Sequence, residues 1–179
     1  LDFGVDGFRF DMAEMVPVEF WSYLNSSILA RKPDAFLLAE IYNPLQYRNY
    51  ISNGKMGYLY DKVGLYDALR SVMAGEISAD AVLEAYEDVL DISDHMLNFL
   101  ENHDEQRIAH DEFSGAAVRG WPAMVVNATL NKAALMVYFG QEVGEAAGLN
   151  MGFGTASRTT IFDYAGVPAH QRWLNHGKY

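Results

Sequence analysis

Cysteine is missing altogether from these 179 residues, which excludes disulfides and cysteine-ligated zinc. Compartment stays open, because exported enzymes without cysteine are common. Basic residues are also scarce: 13 Lys and Arg face 24 Asp and Glu, for a formal charge of −11. A phosphate backbone needs a basic surface, so nucleic acid is not an expected partner, whereas a neutral or cationic ligand is compatible. No apolar run approaches the roughly 18 uninterrupted residues of a membrane-spanning helix. What is present is core material. Half of the residues are hydrophobic and 13% are aromatic, which excludes a disordered or collagen-like class.

Short apolar runs alternate with longer stretches of helical spacing, the mark of a parallel α/β architecture. Strands are expected at Val5 to Phe10, Phe36 to Ala39, Tyr58 to Tyr60, Met96 to Leu100 and Ala134 to Phe139. Between them, Pro17 opens a helix whose apolar face carries Phe20, Trp21, Leu24 and Ile28, with Phe20 and Trp21 assigned to the core. Further helices are expected around Leu45 to Ile51, Tyr66 to Ala74, Asp80 to Leu90 and Trp121 to Leu130. The stretch from Asp80 to Asp94 reads as a solvated acidic face. The tail from Glu145, rich in glycine, serine and threonine, reads as loop. The chain begins at Leu1 and stops abruptly after Asn175-His176-Gly177-Lys178-Tyr179, so a piece of a longer protein is expected.

Polar chemistry starts where the apolar runs stop. Asp11 closes GVDGFRFD, Glu40 closes AFLLAE and Asp104 closes LNFLENHD, each at the end of an expected strand. A strand-end carboxylate is drawn away from solvent, and three of them suggest one acidic site of the kind that cuts glycosidic bonds. Phe8 and Phe10 alternate with Arg9 and Asp11, so the arginine and the carboxylate point to one side. Arg9 would keep Asp11 ionised, as a nucleophile requires, although a structural ion pair accounts for the same spacing equally well. Apolar walls around Glu40 would favour its protonated form and suit a proton donor, while a glutamate simply entering a loop is the plainer alternative. His103 beside Asp104 fits a proton relay or a sugar-hydroxyl clamp better than a metal pair, because no other histidine completes a familiar ligand spacing. His95, His110, His170 and His176 are scattered and read as surface or core residues.

GFRFD, LLAEIYNP and FLENHD, in that order, resemble the second, third and fourth signature regions of the α-amylase family of glycoside hydrolases. Tyr138-Phe139-Gly140-Gln141-Glu142 is similar to the segment that closes that family's eighth strand. The resemblance implies an incomplete (β/α)8 TIM barrel, running from about strand four to strand eight, in which active sites sit at the C-terminal strand ends. Residues 1–179 would be the C-terminal portion of the catalytic barrel, with the N-terminal strands and the inserted domain outside this chain. A full barrel needs about 250 residues, so the segment alone is expected to be inactive.

Carried over residue by residue, the resemblance implies Asp11 as nucleophile, Glu40 as acid and then base, and Asp104 as the carboxylate that steadies the transition state. Arg9 would orient Asp11, and His103 would bind hydroxyls of the same sugar ring. The implied reaction is retaining hydrolysis of α-glucosidic bonds in starch or maltodextrins through a covalent glycosyl-enzyme. Retention asks that the two reacting carboxyl groups lie about 5–5.5 Å apart. Glucanotransfer or isomerisation would use the same triad, and a noncatalytic carbohydrate-binding or scaffold protein on the same barrel is the alternative of another class. Because sugars stack on rings, Tyr42, Tyr58, Tyr60 and Phe153 are subsite candidates, although packing against neighbouring loops is the better expectation for any one of them.

Many family members carry lysine and histidine three and four places after the nucleophile, where this chain has Glu14 and Met15. The family's calcium site draws on regions upstream of the fourth strand, so no metal ligand or other cofactor is assignable here, although the whole enzyme could bind calcium. The expected partner is an α-glucan, with no membrane span in this segment, and a polymeric starch substrate would favour an extracellular or periplasmic setting. Arg107 could meet substrate or pair with Glu105, and the ion pair is the expectation.

Overall fold

The computed structural model describes residues 1–146 and 167–176. Five strands form one sheet in the order β1-β2-β3-β4-β5, and every neighbouring pair is parallel. They are β1 (Gly7–Phe10), β2 (Phe36–Ala39), β3 (Tyr58–Tyr60), β4 (Met96–Asn98) and β5 (Ala134–Leu135). Parallel neighbours need a crossover, and the helices supply it. These are α1 (Val18–Arg31), α2 (Tyr47–Ser52), α3 (Asp67–Met73), α4 (Asp80–Asp88), α5 (Trp121–Thr129) and α6 (Pro168–His176). A strand order equal to the chain order has no reversal point, so the sheet winds in one direction, as a barrel wall does.

Both faces of the sheet are covered, which is why the strands read as continuous apolar runs. Ala39, Leu59 and Met96, in register across β2, β3 and β4, join Trp21 of α1 and Tyr47 and Tyr50 of α2 in one buried cluster. Leu38, Tyr60 and Leu97 face the other way, into a cluster with Tyr66, Phe99 and Phe113. Gly7 is required where β1 meets β2, because a Cβ there would lie 2.0 Å from the Phe36 carbonyl oxygen.

Several expectations are corrected. Phe20 is exposed and not core: Trp21 and Ile28 are buried on α1, together with Asn25, whose side-chain amide donates to the Gly54 carbonyl (2.8 Å). The fifth strand is two residues long, because Met136 N–H donates once to Asn98 O and the chain then leaves the ladder. The tail is not all loop. The Glu145 carboxylate accepts Ala169 N–H (2.9 Å) and so holds the first turn of α6. The acidic reading of Asp80 to Asp94 agrees with α4, which buries no residue.

At the end of β3, Asp61 is 1% exposed and caps a π-helical turn, Lys62–Tyr66, by accepting Leu65 N–H (2.9 Å). Burial pushes its carboxyl from 3.8 up to about 6, against the opposing Leu65 bond and with help from the charge of Asp67. The folded state therefore holds this proton more tightly than the unfolded chain. The stabilisation is complete below about pH 4 and is lost as pH rises through about 6. Asp61→Asn carries no such charge, so its stability relative to the parent is expected to improve by roughly 2 kcal/mol between pH 4 and pH 7. Urea unfolding of the full-length protein at both pH values checks this, and a pH-independent difference would rule it out.

Candidate active site

Glu40 is the structural centre of the site. It follows β2 directly, and of the three strand-end carboxylates it alone is buried, with a side chain 7% exposed against 70% for Asp11 and 37% for Asp104. The expectation that all three are drawn out of solvent is corrected for the other two. The surroundings of Glu40 are donors as well as apolar walls. Oε2 accepts Met12 N–H (2.7 Å), Oε1 accepts the Tyr42 hydroxyl (2.6 Å), and Arg9 Nη2 lies 3.3 Å from Oε2.

Asp11 follows β1, which pairs with β2, so the two carboxylates leave adjacent strands side by side. Arg9 joins them: its Nη1 donates to Asp11 Oδ1, while Nη2 faces Glu40. The guanidinium also rests over the Tyr60 ring, 5.6 Å from its centroid. Burial alone would lower the Arg9 pKa, but the bond to Asp11 and the interactions with Tyr60 and Glu40 outweigh it, and the group is held as a cation. The alternation of Phe8 and Phe10 against Arg9 and Asp11 is thus realised, with the two phenylalanine rings stacked at 6.1 Å.

The turn after Asp11 has an unusual backbone. Met12 adopts a left-handed conformation (φ 42°, ψ 43°), which a non-glycine residue keeps only when its surroundings enforce it. The enforcing bonds come from Glu40: its carboxylate takes Met12 N–H, and its carbonyl takes Ala13 N–H (3.0 Å). Trp21 Nε1 anchors the same turn by donating to Ala13 O (2.8 Å).

Asp104 lies in the loop after β4 rather than at the strand tip. Asn102 Oδ1 accepts both Asp104 N–H (2.8 Å) and Glu105 N–H (2.7 Å), which folds the loop back on itself. His103 Nε2 contacts Asp104 Oδ2 at 3.1 Å. Burial, then the bond to Glu40, push the Tyr42 hydroxyl well above its ordinary value, and the charges of Glu105 and Asp104 add to this. Tyr42 thus lies within electrostatic reach of both Glu40 and the Asp104 loop, and it remains a neutral donor.

Arg107 pairs with Glu101, not with Glu105 as expected. Nη1 donates to Glu101 Oε2 (2.7 Å), both side chains are buried, and the guanidinium stacks over the Tyr138 ring at 4.6 Å. Glu101 also accepts Ile108 N–H (2.8 Å), so this pair closes the base of the loop that bears His103 and Asp104. Glu105 turns to Lys62 instead (3.4 Å). Among the aromatic candidates, Tyr58 stacks on Phe36 (4.7 Å) and Tyr60 packs edge-on to Phe99 (5.2 Å), both packing roles. Phe153 lies outside the described residues. Among the described residues no cluster of three or more His, Asp or Glu side chains forms a metal site, and no helix is long and apolar enough to cross a membrane.

Fold and site together define a parallel β/α-barrel wall with a carboxylate–arginine cluster at the C-terminal ends of adjacent strands. Known proteins make the class more specific. The chain is 35% identical over 145 residues to an α-amylase of Haloarcula japonica, spanning 79% of this chain and 20% of that protein. It is 24% identical over 150 residues to a cyclomaltodextrinase of Geobacillus thermopakistaniensis, spanning 82% of this chain and 25% of the relative. In fold it matches an α-amylase of Geobacillus thermoleovorans solved with acarbose, with a TM-score of 0.70 at 24% identity, over 95% of this chain and 38% of that one. No family model matches the chain. By sequence and fold the chain is a relative of the α-amylase-family glycoside hydrolases, and it spans about a quarter of the length of the curated relatives it matches.

Proposed function

We propose that this chain is the strand-four-to-eight portion of a catalytic (β/α)8 barrel, and that the whole protein cleaves α-glucosidic bonds in starch-type glucans with retention of configuration. The observation that carries this reading is the shared guanidinium. Arg9 bridges Asp11 and Glu40 on adjacent strands, which supports the close carboxylate spacing of a retaining pair, about 5–5.5 Å. The difference between their environments supports two different roles. Asp11 is open to an incoming sugar and paired with a cation, so it acts as nucleophile on the anomeric carbon. Glu40 is enclosed and gives its proton to the departing glycosidic oxygen, so the C–O bond breaks as the ester to Asp11 forms. Glu40 then takes a proton from water, which attacks the same carbon and releases Asp11.

Asp104 and His103 hold ring hydroxyls, and Tyr42 lies beside the leaving group. The name of the cyclomaltodextrinase relative supports water as the acceptor, and a sugar acceptor at the same intermediate would give transfer. The full-length protein incubated with maltoheptaose is expected to yield shorter oligosaccharides only, with the α-anomer appearing first by proton NMR. Longer products would assign transfer, and an initial β-anomer would overturn retention.

A further inference from the structure

We propose that Glu14 is a positioning residue for the acid/base carboxylate, acting through the backbone of the loop that carries Tyr42; this rests on the reading of Glu40 as acid and base. Glu14 lies in a 3₁₀ turn, Ala13–Met15, three residues past Asp11 and outside the β2 loop. Its Oε2 accepts two consecutive backbone donors across the site, Tyr42 N–H (3.1 Å) and Asn43 N–H (3.0 Å). One carboxylate oxygen thus latches the chain two and three residues beyond Glu40. Bonds from backbone N–H to an ionised acceptor are among the stronger ones.

The latch has a firm base. The Tyr50 hydroxyl of α2 reaches the carbonyls of Glu14 (3.2 Å) and Val16 (3.0 Å), so the turn is tied to the helix that follows the β2 loop. Its far end is the Tyr42 ring, whose hydroxyl donates to Glu40 Oε1 at 2.6 Å. The sequence of contacts runs from α2 through the Glu14 backbone, the Glu14 carboxylate and the Tyr42 amide to the Tyr42 hydroxyl and Glu40. In the opposite direction, Glu40 accepts Met12 N–H and Ala13 N–H. The two loops therefore exchange four backbone N–H bonds through two glutamates, each serving the other's loop.

Within this arrangement the residue at position 14 must be an acceptor. A lysine, which many α-amylases have three places after the nucleophile, has three donors and no acceptor and cannot serve the two N–H groups. A glutamine can, through its amide carbonyl. Ala removes the latch altogether and leaves both N–H groups to solvent.

The test uses the full-length protein with Glu14→Ala, Glu14→Gln, Tyr42→Phe and the double variant Glu14→Ala/Tyr42→Phe. In Glu14→Ala, kcat on maltoheptaose is expected to fall about 10-fold with KM changed less than about 3-fold, inside the roughly 10²-fold cost of a 1 Å misplacement. Glu14→Gln is expected to regain most of that loss. The double variant is expected to be no worse than its more impaired parent, because both changes break one sequence of contacts. Fragmentation-resolved hydrogen exchange supplies a readout independent of turnover: the Tyr42 and Asn43 amides lose protection in Glu14→Ala and keep it in Glu14→Gln. Retained protection in Glu14→Ala, parental kcat, or multiplicative losses in the double variant each overturn the proposal. Glu40→Gln with parental turnover would sink the acid/base reading alone, and the amide exchange would still decide whether the latch exists.

Discussion

Asp11→Asn in the full-length protein is expected to release reducing sugar from maltodextrin on the order of 10⁴-fold or more slowly than the parent. The substitution is nearly isosteric and keeps an oxygen for Arg9, whose Nη1 now donates to the aspartate. What it removes is the carboxylate proposed to form the glycosyl ester. Asp11 is 70% exposed and belongs to neither buried cluster, so the fold should tolerate the change, and an unchanged unfolding midpoint would separate chemistry from stability. Supplying azide to the still smaller Asp11→Gly variant should restore bond cleavage and give a glycosyl azide of inverted configuration, because the small anion occupies the emptied position. Parental activity in Asp11→Asn would withdraw the nucleophile assignment.

Glu40→Gln is expected to lower kcat on maltoheptaose by about 10²–10⁴-fold, the usual contribution of a positioned general acid. The decisive comparison is with α-maltosyl fluoride, whose leaving group departs without a proton. Single-turnover fluoride release should be much less affected than cleavage of the oligosaccharide. Equal losses on both substrates would show that Glu40 has another role. Glutamine can still accept Met12 N–H through its amide oxygen, while its NH2 group donates to the Tyr42 hydroxyl oxygen in place of the bond now accepted at Oε1, so the geometry of the turn at Met12 should persist. The loss then reports proton transfer rather than collapse of the left-handed turn.

Much of the fold could be read from local pattern. The expected ends of β2 and β3 match those observed, and the helix over Trp121–Thr129 begins where Pro122 places its first turn. These elements are set by short-range effects: apolar runs bounded by Gly and Pro, and proline in a first helical turn. The failures have long-range causes. Ala134 to Phe139 is apolar enough for a strand, but a strand needs a partner along its whole length, and β4 offers ladder positions only to Ala134 and Leu135, opposite Leu97 and Asn98. Phe20 stands at helical spacing from Leu24, yet it is Trp21 that turns towards Ala13 and the sheet. The helix at Pro168–His176 stands in a tail whose glycine, serine and threonine content reads as loop, and it is held in part by Glu145, 24 residues before Ala169.

The site divides in the same way. Asp11, Glu40 and Asp104, with Arg9 and His103, could be picked out because each follows an apolar run, and because alternation along a strand puts Arg9 and Asp11 on one side. Glu14 registered only as a departure from the family pattern, and Glu101 did not register as the partner of Arg107. A signal for Glu101 existed: it stands next to the strand-end motif and six residues before the arginine, the separation seen in the pair. No comparable signal marks Glu14, whose two donors lie 28 and 29 residues away.

By itself the sequence determined the parallel strand–helix alternation, the order of the three carboxylates and the pairing of Arg9 with Asp11, because all of these follow from periodicity and neighbours within a few residues. Only the tertiary structure decided that Glu40 is the buried carboxylate while Asp11 is open, that Tyr42 donates to Glu40, and that Glu14 grips the loop between them. Burial and hydrogen-bond partners depend on which loops are brought together, and here adjacent parallel strands bring together residues nearly thirty positions apart.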